Sequence, residues 1–176
     1  SGCTLGEEAE QRLLQALPVL SAHLEEGPSL WQHLQKILMG PHAGAALRTM
    51  HAVGVLELLI PEFHGIDALV IRDAYHRYTV DEHTFVLIDT LHGLERAQTG
   101  LLAEWAAQFA RLVRELPHPG LLYLAALMHD TGKGRSTGDH AQESMKMAEG
   151  LLERLELDSY ESGMVSGLIA NHLEMS

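Results

Sequence analysis

Cysteine, aromatic residues and positive charge are all scarce in this sequence of 176 residues. The single cysteine, Cys3, excludes a disulfide within the chain and fits a reducing cytoplasm. Twelve lysines and arginines against 24 acidic residues give a net charge of −12, which repels phosphate backbones, so we expect no nucleic-acid partner. We recognise no signal peptide and no apolar run long enough to cross a membrane, so we also expect no membrane partner.

Strand signals are nearly absent as well, and the apolar residues that are present favour helices. Hydrophobic residues make up 46% of the chain and aromatic residues only 5%, so leucine, alanine and methionine carry the core. Their side chains lose little rotamer freedom in a helix. We therefore predict an all-α helical bundle with short connections. The predicted helices are 7–17 (ended by Pro18), one between Gly27 and Gly40, two within 43–60 divided near Gly54, then 80–96, 101–116, 121–130, 140–155 and 159–173, with 62–78 less regular.

Three predicted helix starts carry capping signals. Thr79, with Glu82 three residues later, forms a capping-box pattern. Asp139 and Ser159 can each cap the helix that follows. These signals fix where the helices with the candidate site residues begin.

Histidine is the residue present in excess, with twelve copies in the chain. Six of them stand in polar or loop contexts, and we expect these at the surface without a chemical role. Four others are inward-facing or lie at helix ends, and these are the candidates for chemistry. The surface set is His23, His33, His42, His51, His64 and His118, and the candidate set is His83, His129, His140 and His172.

Two of the four candidates face the core by helical spacing. His83 lies on one stripe with three leucines, and His172 shares a face with two apolar residues before it. Each could instead be a core histidine whose ring is hydrogen-bonded to a carbonyl group. The apolar neighbours are Leu87, Leu91 and Leu94 for His83, and Leu168 and Val165 for His172.

The adjacent pair His129-Asp130 ends the most apolar predicted helix. An aspartate at a helix C-terminus opposes the helix dipole, and an unpaired carboxylate beside an apolar segment is costly. A metal ion would answer both problems, although a pair at an exposed helix end would need none. The glycines that follow, Gly132 and Gly134, would let the chain turn tightly and bring Lys133 close to a ligand.

The candidate histidines and the carboxylate of Asp130 together form a candidate metal set in a helical chain, even though each residue is weak evidence alone. His140, for example, could belong only to the capping turn after Asp139. Imidazole and carboxylate ligands suit Mn, Fe, Zn or Co, with Mg the poorest match. The sequence therefore predicts a divalent-metal site of one or two ions.

The order of these residues resembles the HD superfamily of metal-dependent phosphohydrolases. More closely, residues 30–176 are similar to the HD region of bacterial PII uridylyltransferase/uridylyl-removing enzymes. The matching runs are LRTMHAVGVL (47–56), IPEF (60–63), HRYTVDEHT (76–84), LMHDTGKG (127–134), GDH (138–140) and NHLEMS (171–176).

The resemblance implies a helical N-terminal extension over residues 1–75 and an HD domain over 76–176. It implies that His83, His129 and Asp130 hold a divalent metal that activates water for attack on phosphorus. His140 and His172 would hold a second ion or contact the phosphate. Asp130 would also be catalytic, together with Lys133, whose charge would stabilise the phosphoryl oxygens; a solvated loop lysine is the simpler reading of Lys133.

The implied reaction is hydrolysis of UMP from a tyrosine of a PII signalling protein, a step of nitrogen regulation. The family shows two adjacent histidines where this chain has Asn171-His172, and a distal aspartate that would lie beyond residue 176. We therefore expect the chain to be a segment of a longer protein, truncated at the C-terminus of its HD domain. The alternatives are a non-catalytic HD module that binds a nucleotide or a partner protein, an HD phosphohydrolase acting on free nucleotides or other phosphorylated small molecules, and a structural bundle.

Overall fold

The computed structural model describes residues 5–70, 78–94, 103–135 and 139–172, and the regular secondary structure in these ranges is entirely helical. The predicted all-α class is thereby confirmed. Two short 3-10 helices, Pro61–Gly65 and Thr131–Gly134, accompany the α-helices. None of the described helices is both long and apolar enough to traverse a bilayer. The α-helices are α1 Glu7–Ala22, α2 Pro28–Leu38, α3 Ala43–Ala52, α4 Val55–Leu59, α5 Val80–Gly93, α6 Ala103–Glu115, α7 Pro119–Met128, α8 His140–Arg154 and α9 Ser159–Ala170.

Helix α7 forms the centre of the bundle because it is apolar on every side. Residues 120, 121 and 123–128 of this helix are all buried, and α2, α5, α8 and α9 pack around it. The core joins Leu38 and Leu56 from the first half of the chain to Leu124 and Leu151 from the second. One hydrophobic core therefore spans the predicted division at residues 75 and 76, and that domain boundary stays a prediction.

The prediction that Pro18 ends the first helix is wrong, since α1 continues through it to Ala22. Proline lacks the amide that would bond to the carbonyl four residues earlier, which here is that of Leu14. None of the residues of α1 is buried, and Leu14 is itself exposed. Water can therefore satisfy the freed carbonyl, and the helix is not forced to stop.

The caps agree with the sequence at one helix and differ at two. Asp139 caps α8 as predicted, because its carboxylate accepts the amides of Ala141 and Gln142. Thr79 precedes α5, but its hydroxyl makes no capping bond there. The cap of α9 is Asp158 and not Ser159, and it forms a reciprocal capping box with Glu161.

The cap assignment at α9 gives a direct stability test. We expect Asp158→Ala to lower the free energy of unfolding by about 1 kcal/mol, because the amide of Glu161 loses its acceptor. Ser159→Ala should change it by less than about 0.5 kcal/mol, because Ser159 is exposed and makes no cap bond. Urea unfolding of both variants measures the difference, and equal effects would contradict the assignment.

Some sequence predictions lie outside the described residues. They include Cys3, the residues 76 and 77 that open one matching run, Gly138 that opens another, the predicted helix ends at 95–96 and 101–102, and the last positions 173–176. The other predicted helices agree with the structure to within two or three residues at each end.

Candidate metal centre

Four helix ends bring the candidate residues together around one carboxylate. Asp130 follows the C-terminus of α7 and is almost completely buried, with 1% of its surface exposed. His83 comes from the first turn of α5, His140 begins α8 and His172 follows the end of α9. The sequence separations are large, yet all four histidines of the candidate set are gathered at this point, with His129 adjacent to Asp130.

The distances place imidazole nitrogens on both sides of Asp130. Oδ2 of Asp130 lies 3.1 Å from Nε2 of His129 and 3.7 Å from Nε2 of His83. Oδ1 lies 3.7 Å from Nε2 of His172. The ring centroids of His140 and His172 are 5.8 Å apart. Two possible ligand triads therefore share Asp130, and within each the ligand atoms lie within 4.8 Å of one another.

Backbone carbonyl groups orient two of the rings. Nδ1 of His129 donates to the carbonyl oxygen of Ala126 at 2.8 Å, and Nδ1 of His172 donates to that of Ile169 at 2.6 Å. Nε2 of each ring therefore faces Asp130, where it can donate a proton to the carboxylate or, once deprotonated, bind a cation through its lone pair. This is the arrangement in which metal-ligating histidines are usually held.

Three buried atoms at the centre have no hydrogen-bond partner among the described residues. They are Oδ1 of Asp130, Nε2 of His140 and Nε2 of His172. Buried polar atoms are normally paired, and all three of these can donate a lone pair to a cation. The residues therefore fit a divalent ion held by Asp130, His140 and His172. They also fit an ion held by His83, His129 and Asp130.

Electrostatics favour the metal-binding protonation states of Asp130 and His140. Burial acts to raise the pKa of Asp130, but the hydrogen bonds and charges of His129 and Lys133 outweigh it, and the pKa lies well below its usual range. Burial, followed by the nearby charge of Lys133, lowers the pKa of His140. Near neutral pH the centre therefore presents an ionised carboxylate and, at His140, a neutral imidazole.

His83 does not face the core as predicted. Its side chain is 44% exposed, and the buried positions of α5 are instead Val80, Asp81, Thr84, Phe85 and Ile88. The predicted leucine stripe is rotated by about one position from the buried face, and Leu87 and Leu91 of this stripe pack only at the edge of the core. His83 consequently approaches Asp130 from the partly exposed side of α5, which leaves it accessible to solvent.

The turn after Asp130 packs tightly on α8. The amide of Gly132 donates to the hydroxyl of the buried Ser144 at 2.9 Å. Lys133 folds back, so that its ammonium group lies 2.8 Å from Oδ2 of Asp130 with only 13% of the side chain exposed. Lys133 is therefore held at the centre and is not the solvated loop lysine of the simpler reading.

Two groups of buried or partly buried ion pairs were not predicted from the sequence. Arg48 of α3 binds Glu82 at 2.7 to 3.1 Å and Asp89 at 2.7 Å, and so ties α3 to the helix that carries His83. Five of the six histidines expected at the surface are exposed, but His51 is wrongly placed in that set. Its side chain is 16% exposed and lies among carboxylates. The partners of Arg48 and His51 lie 6 to 41 residues further along the chain, and no local pattern indicates these contacts.

Asn171, which stands where the resemblance implies another histidine, does not take part in the centre. Its side-chain amide donates to the carbonyl oxygen of Gly167 at 2.8 Å, on an exposed part of the helix end. The centre within the described residues is therefore built from four histidines and one aspartate.

Residues 99–176, which include four of the five residues of this centre, match the HD domain family. The resemblance to HD domains that the sequence predicted is thereby confirmed for residues 99–176. It is 39% identical over 148 residues to the bifunctional uridylyltransferase/uridylyl-removing enzyme of Pseudomonas fluorescens, covering 84% of this chain and 16% of that relative. The enzymes of the same name from Pseudomonas aeruginosa and Pseudomonas syringae pv. tomato are 38% and 37% identical over the same shares. The chain thus spans about 16% of the length of these curated relatives.

Proposed function

We propose that this chain provides the metal-dependent phosphohydrolase centre that removes a nucleotidyl group from a protein, such as UMP from a tyrosine of a PII signalling protein. One observation carries the proposal: two sets of imidazole nitrogens share the single buried carboxylate of Asp130. The similarity to relatives named as uridylyl-removing enzymes supports the choice of substrate class.

Some residues of the chain would bind the metal ions, and Lys133 would stabilise the negative charge on the phosphoryl oxygens. His83, His129 and Asp130 would hold one divalent ion, and His140 and His172 would hold a second with Asp130 shared. Four imidazoles and one carboxylate suit Mn, Fe, Zn or Co better than Mg. A divalent ion held there supplies Lewis acidity and lowers the pKa of water to near neutral.

Lys133 would stabilise negative charge that develops during the reaction. Its ammonium group is fixed by the ion pair with Asp130, so a phosphoryl group at the centre would meet a positioned cation. In the proposed reaction water adds to phosphorus, the bond from phosphorus to the tyrosine oxygen breaks, and that oxygen takes up a proton. The products are UMP and an unmodified tyrosine.

The proposal is tested by assaying the chain with a uridylylated PII protein and with a panel of free nucleotides, each with Mn²⁺ and with a chelator. We expect Mn²⁺-dependent release of UMP that the chelator abolishes. Binding of the uridylylated protein without turnover would favour a non-catalytic HD module. Faster hydrolysis of a free nucleotide would favour a small-molecule phosphohydrolase.

Lys133 gives a prediction with a matched control. We expect Lys133→Met to lower kcat for UMP release by about 10²-fold, because one preorganised charge-stabilising group is lost. Metal content should stay close to that of the unmodified chain, because the proposed ligands remain. Lys146→Met removes the same charge from α8 at a side chain that is 63% exposed and should leave kcat unchanged. Equal rates in the two variants would remove Lys133 from the proposed mechanism.

A further inference from the structure

A second cluster of metal-ligating side chains lies apart from Asp130 and is not used by the proposed reaction. Its centre is His51, near the end of α3, and three carboxylates surround the imidazole ring. Glu57 comes from α4, Asp67 follows the first 3-10 helix and Asp81 belongs to the first turn of α5. Nδ1 of His51 contacts Oε1 of Glu57, while Nε2 lies 3.1 Å from Oδ2 of Asp81 and 3.2 Å from Oδ1 of Asp67.

The hydrogen bonding of His51 implies a cation on its second nitrogen. A carboxylate only accepts hydrogen bonds, so Glu57 holds the ring with the proton on Nδ1. A neutral ring would then point its Nε2 lone pair at two carboxylate oxygens, which is repulsive. Either a second proton or a metal ion must therefore lie between Nε2 of His51 and the oxygens of Asp67 and Asp81.

The charge balance favours a metal ion over a proton. A protonated His51 supplies one positive charge against the three negative charges of Glu57, Asp67 and Asp81. Among the described residues no lysine or arginine forms an ion pair with these carboxylates, because the nearby Arg48 is engaged by Glu82 and Asp89. An uncompensated excess of buried negative charge is costly, and a divalent ion would offset more of it.

Burial supplies a second and independent indication. Glu57 and Asp81 are 8% and 7% exposed, and each has one buried oxygen, Oε2 and Oδ1 respectively, without a hydrogen-bond partner among the described residues. Paired carboxylates rarely leave such oxygens empty in a protein interior. The free oxygen of Asp81 gives the cluster coordinating capacity beyond its contacts with His51.

The cluster is also accessible to an ion. His51, Glu57 and Asp67 line a groove of about 900 Å³ between α1 and the α3 and α4 region. Asp67 forms the outer side, with 64% of its side chain exposed. An ion could therefore enter from solvent, displace water from Asp67 and reach the buried nitrogen of His51.

We infer that His51, Asp67 and Asp81 form a second divalent-cation site, with Glu57 orienting the imidazole. One nitrogen and mainly carboxylate oxygens favour a hard ion of the Mn²⁺ type, in contrast to the histidine-rich centre at Asp130. Ligand atoms separated by 3.1 to 3.2 Å suit adjacent positions around one ion. The site stands independently of the proposed phosphohydrolase function.

The test counts Mn²⁺ by electron paramagnetic resonance in a chain whose other centre has been impaired. Asp130→Asn removes the carboxylate shared by both triads of that centre, and we expect Mn²⁺ binding at the second site to persist. Adding Asp67→Asn should weaken the remaining binding at least about tenfold, since even outer-shell partners of metal ligands contribute that much. Asp67 is exposed, so this substitution leaves the core intact, and circular dichroism checks the fold. Adding Glu25→Gln instead removes one exposed negative charge and should not change the affinity.

The possible outcomes separate the two sites. Residual Mn²⁺ binding that falls with Asp67→Asn but not with Glu25→Gln would establish the second site, whatever the hydrolysis assays show. Absence of Mn²⁺ binding in the Asp130→Asn chain, or residual binding that Asp67→Asn leaves unchanged, would overturn it. In either of those cases a proton, and not a metal ion, lies between Nε2 of His51 and the oxygens of Asp67 and Asp81.

Discussion

Asp130→Asn should lower metal-dependent release of UMP by at least about 10³-fold, the largest loss expected from any single change in the chain. Asp130 is the one carboxylate shared by both possible triads, so an amide there weakens every ion at the centre. Loss of an ion removes several kcal/mol of transition-state stabilisation, and each 1.4 kcal/mol is about tenfold in rate. Elemental analysis of the purified chain should show a parallel loss of bound metal.

The shape of the site should survive the Asp130→Asn substitution. Asparagine has nearly the same size as aspartate, and its oxygen can still accept from Lys133, which now lies 2.8 Å away. We expect a stability loss of about 1 to 3 kcal/mol from the weakened buried pair. Asp158→Asn is the matched control, because asparagine caps a helix about as well as aspartate. Unchanged turnover and unchanged metal content in Asp130→Asn would refute the assignment of the centre.

The features of the site that the sequence could predict are those with a local signal. The apolar run of α7 predicted a buried helix. The pair His129-Asp130 lies at the end of this helix, where a carboxylate needs a partner. The position of His140 followed from the capping residue Asp139. Local patterns therefore located the helix ends, and the resemblance supplied the expectation that they meet.

Other features depend on tertiary contacts and could not be read from local patterns. His51 sits in a segment without any buried-polar signal, and its partners lie 6, 16 and 30 residues further along the chain. Arg48 likewise finds Glu82 and Asp89 only because α3 packs against α5. The same packing sets the rotation of α5, so that Thr84 and Ile88 are buried and His83 approaches Asp130. Periodicity indicates a helix with an apolar side, but the exact rotation is set by its neighbours.

The first turn of α5 links the two clusters. Asp81 contacts His51, and His83, two residues later, faces Asp130. Successive residues of a helix point about 100° apart, so positions two apart lie on nearly opposite sides. One short turn can therefore supply a side chain to each cluster, and the bidentate pair between Arg48 and Glu82 fixes the turn between them.

Gly132→Ala should disrupt the centre without changing any of the proposed ligands. A methyl group at Gly132 would lie 2.5 Å from the carbonyl oxygen of His140 and 2.5 Å from the amide nitrogen of Ser144. Both are backbone atoms of α8 and cannot turn aside as a side chain would, so the start of α8 must move away from Asp130. We expect the free energy of unfolding to fall by about 1 to 3 kcal/mol, and occasionally more, as for other overpacked interiors. This loss of stability should lower Tm by about 2 to 4 °C per kcal/mol for a chain of this length, which thermal unfolding measures.

The displacement of α8 distinguishes this effect from simple destabilisation. Because His140 moves with α8, hydrolysis should fall even at temperatures where the variant is fully folded, and we expect about 10²-fold from a shift of about 1 Å at a catalytic centre. Gly163→Ala is the control, since an added methyl group in the middle of α9 meets no atom within 4 Å. It should raise stability by about 0.5 to 1 kcal/mol through the better helix propensity of alanine. A Gly132→Ala chain as stable and as active as the control would mean that α8 is not held against Asp130 by this contact.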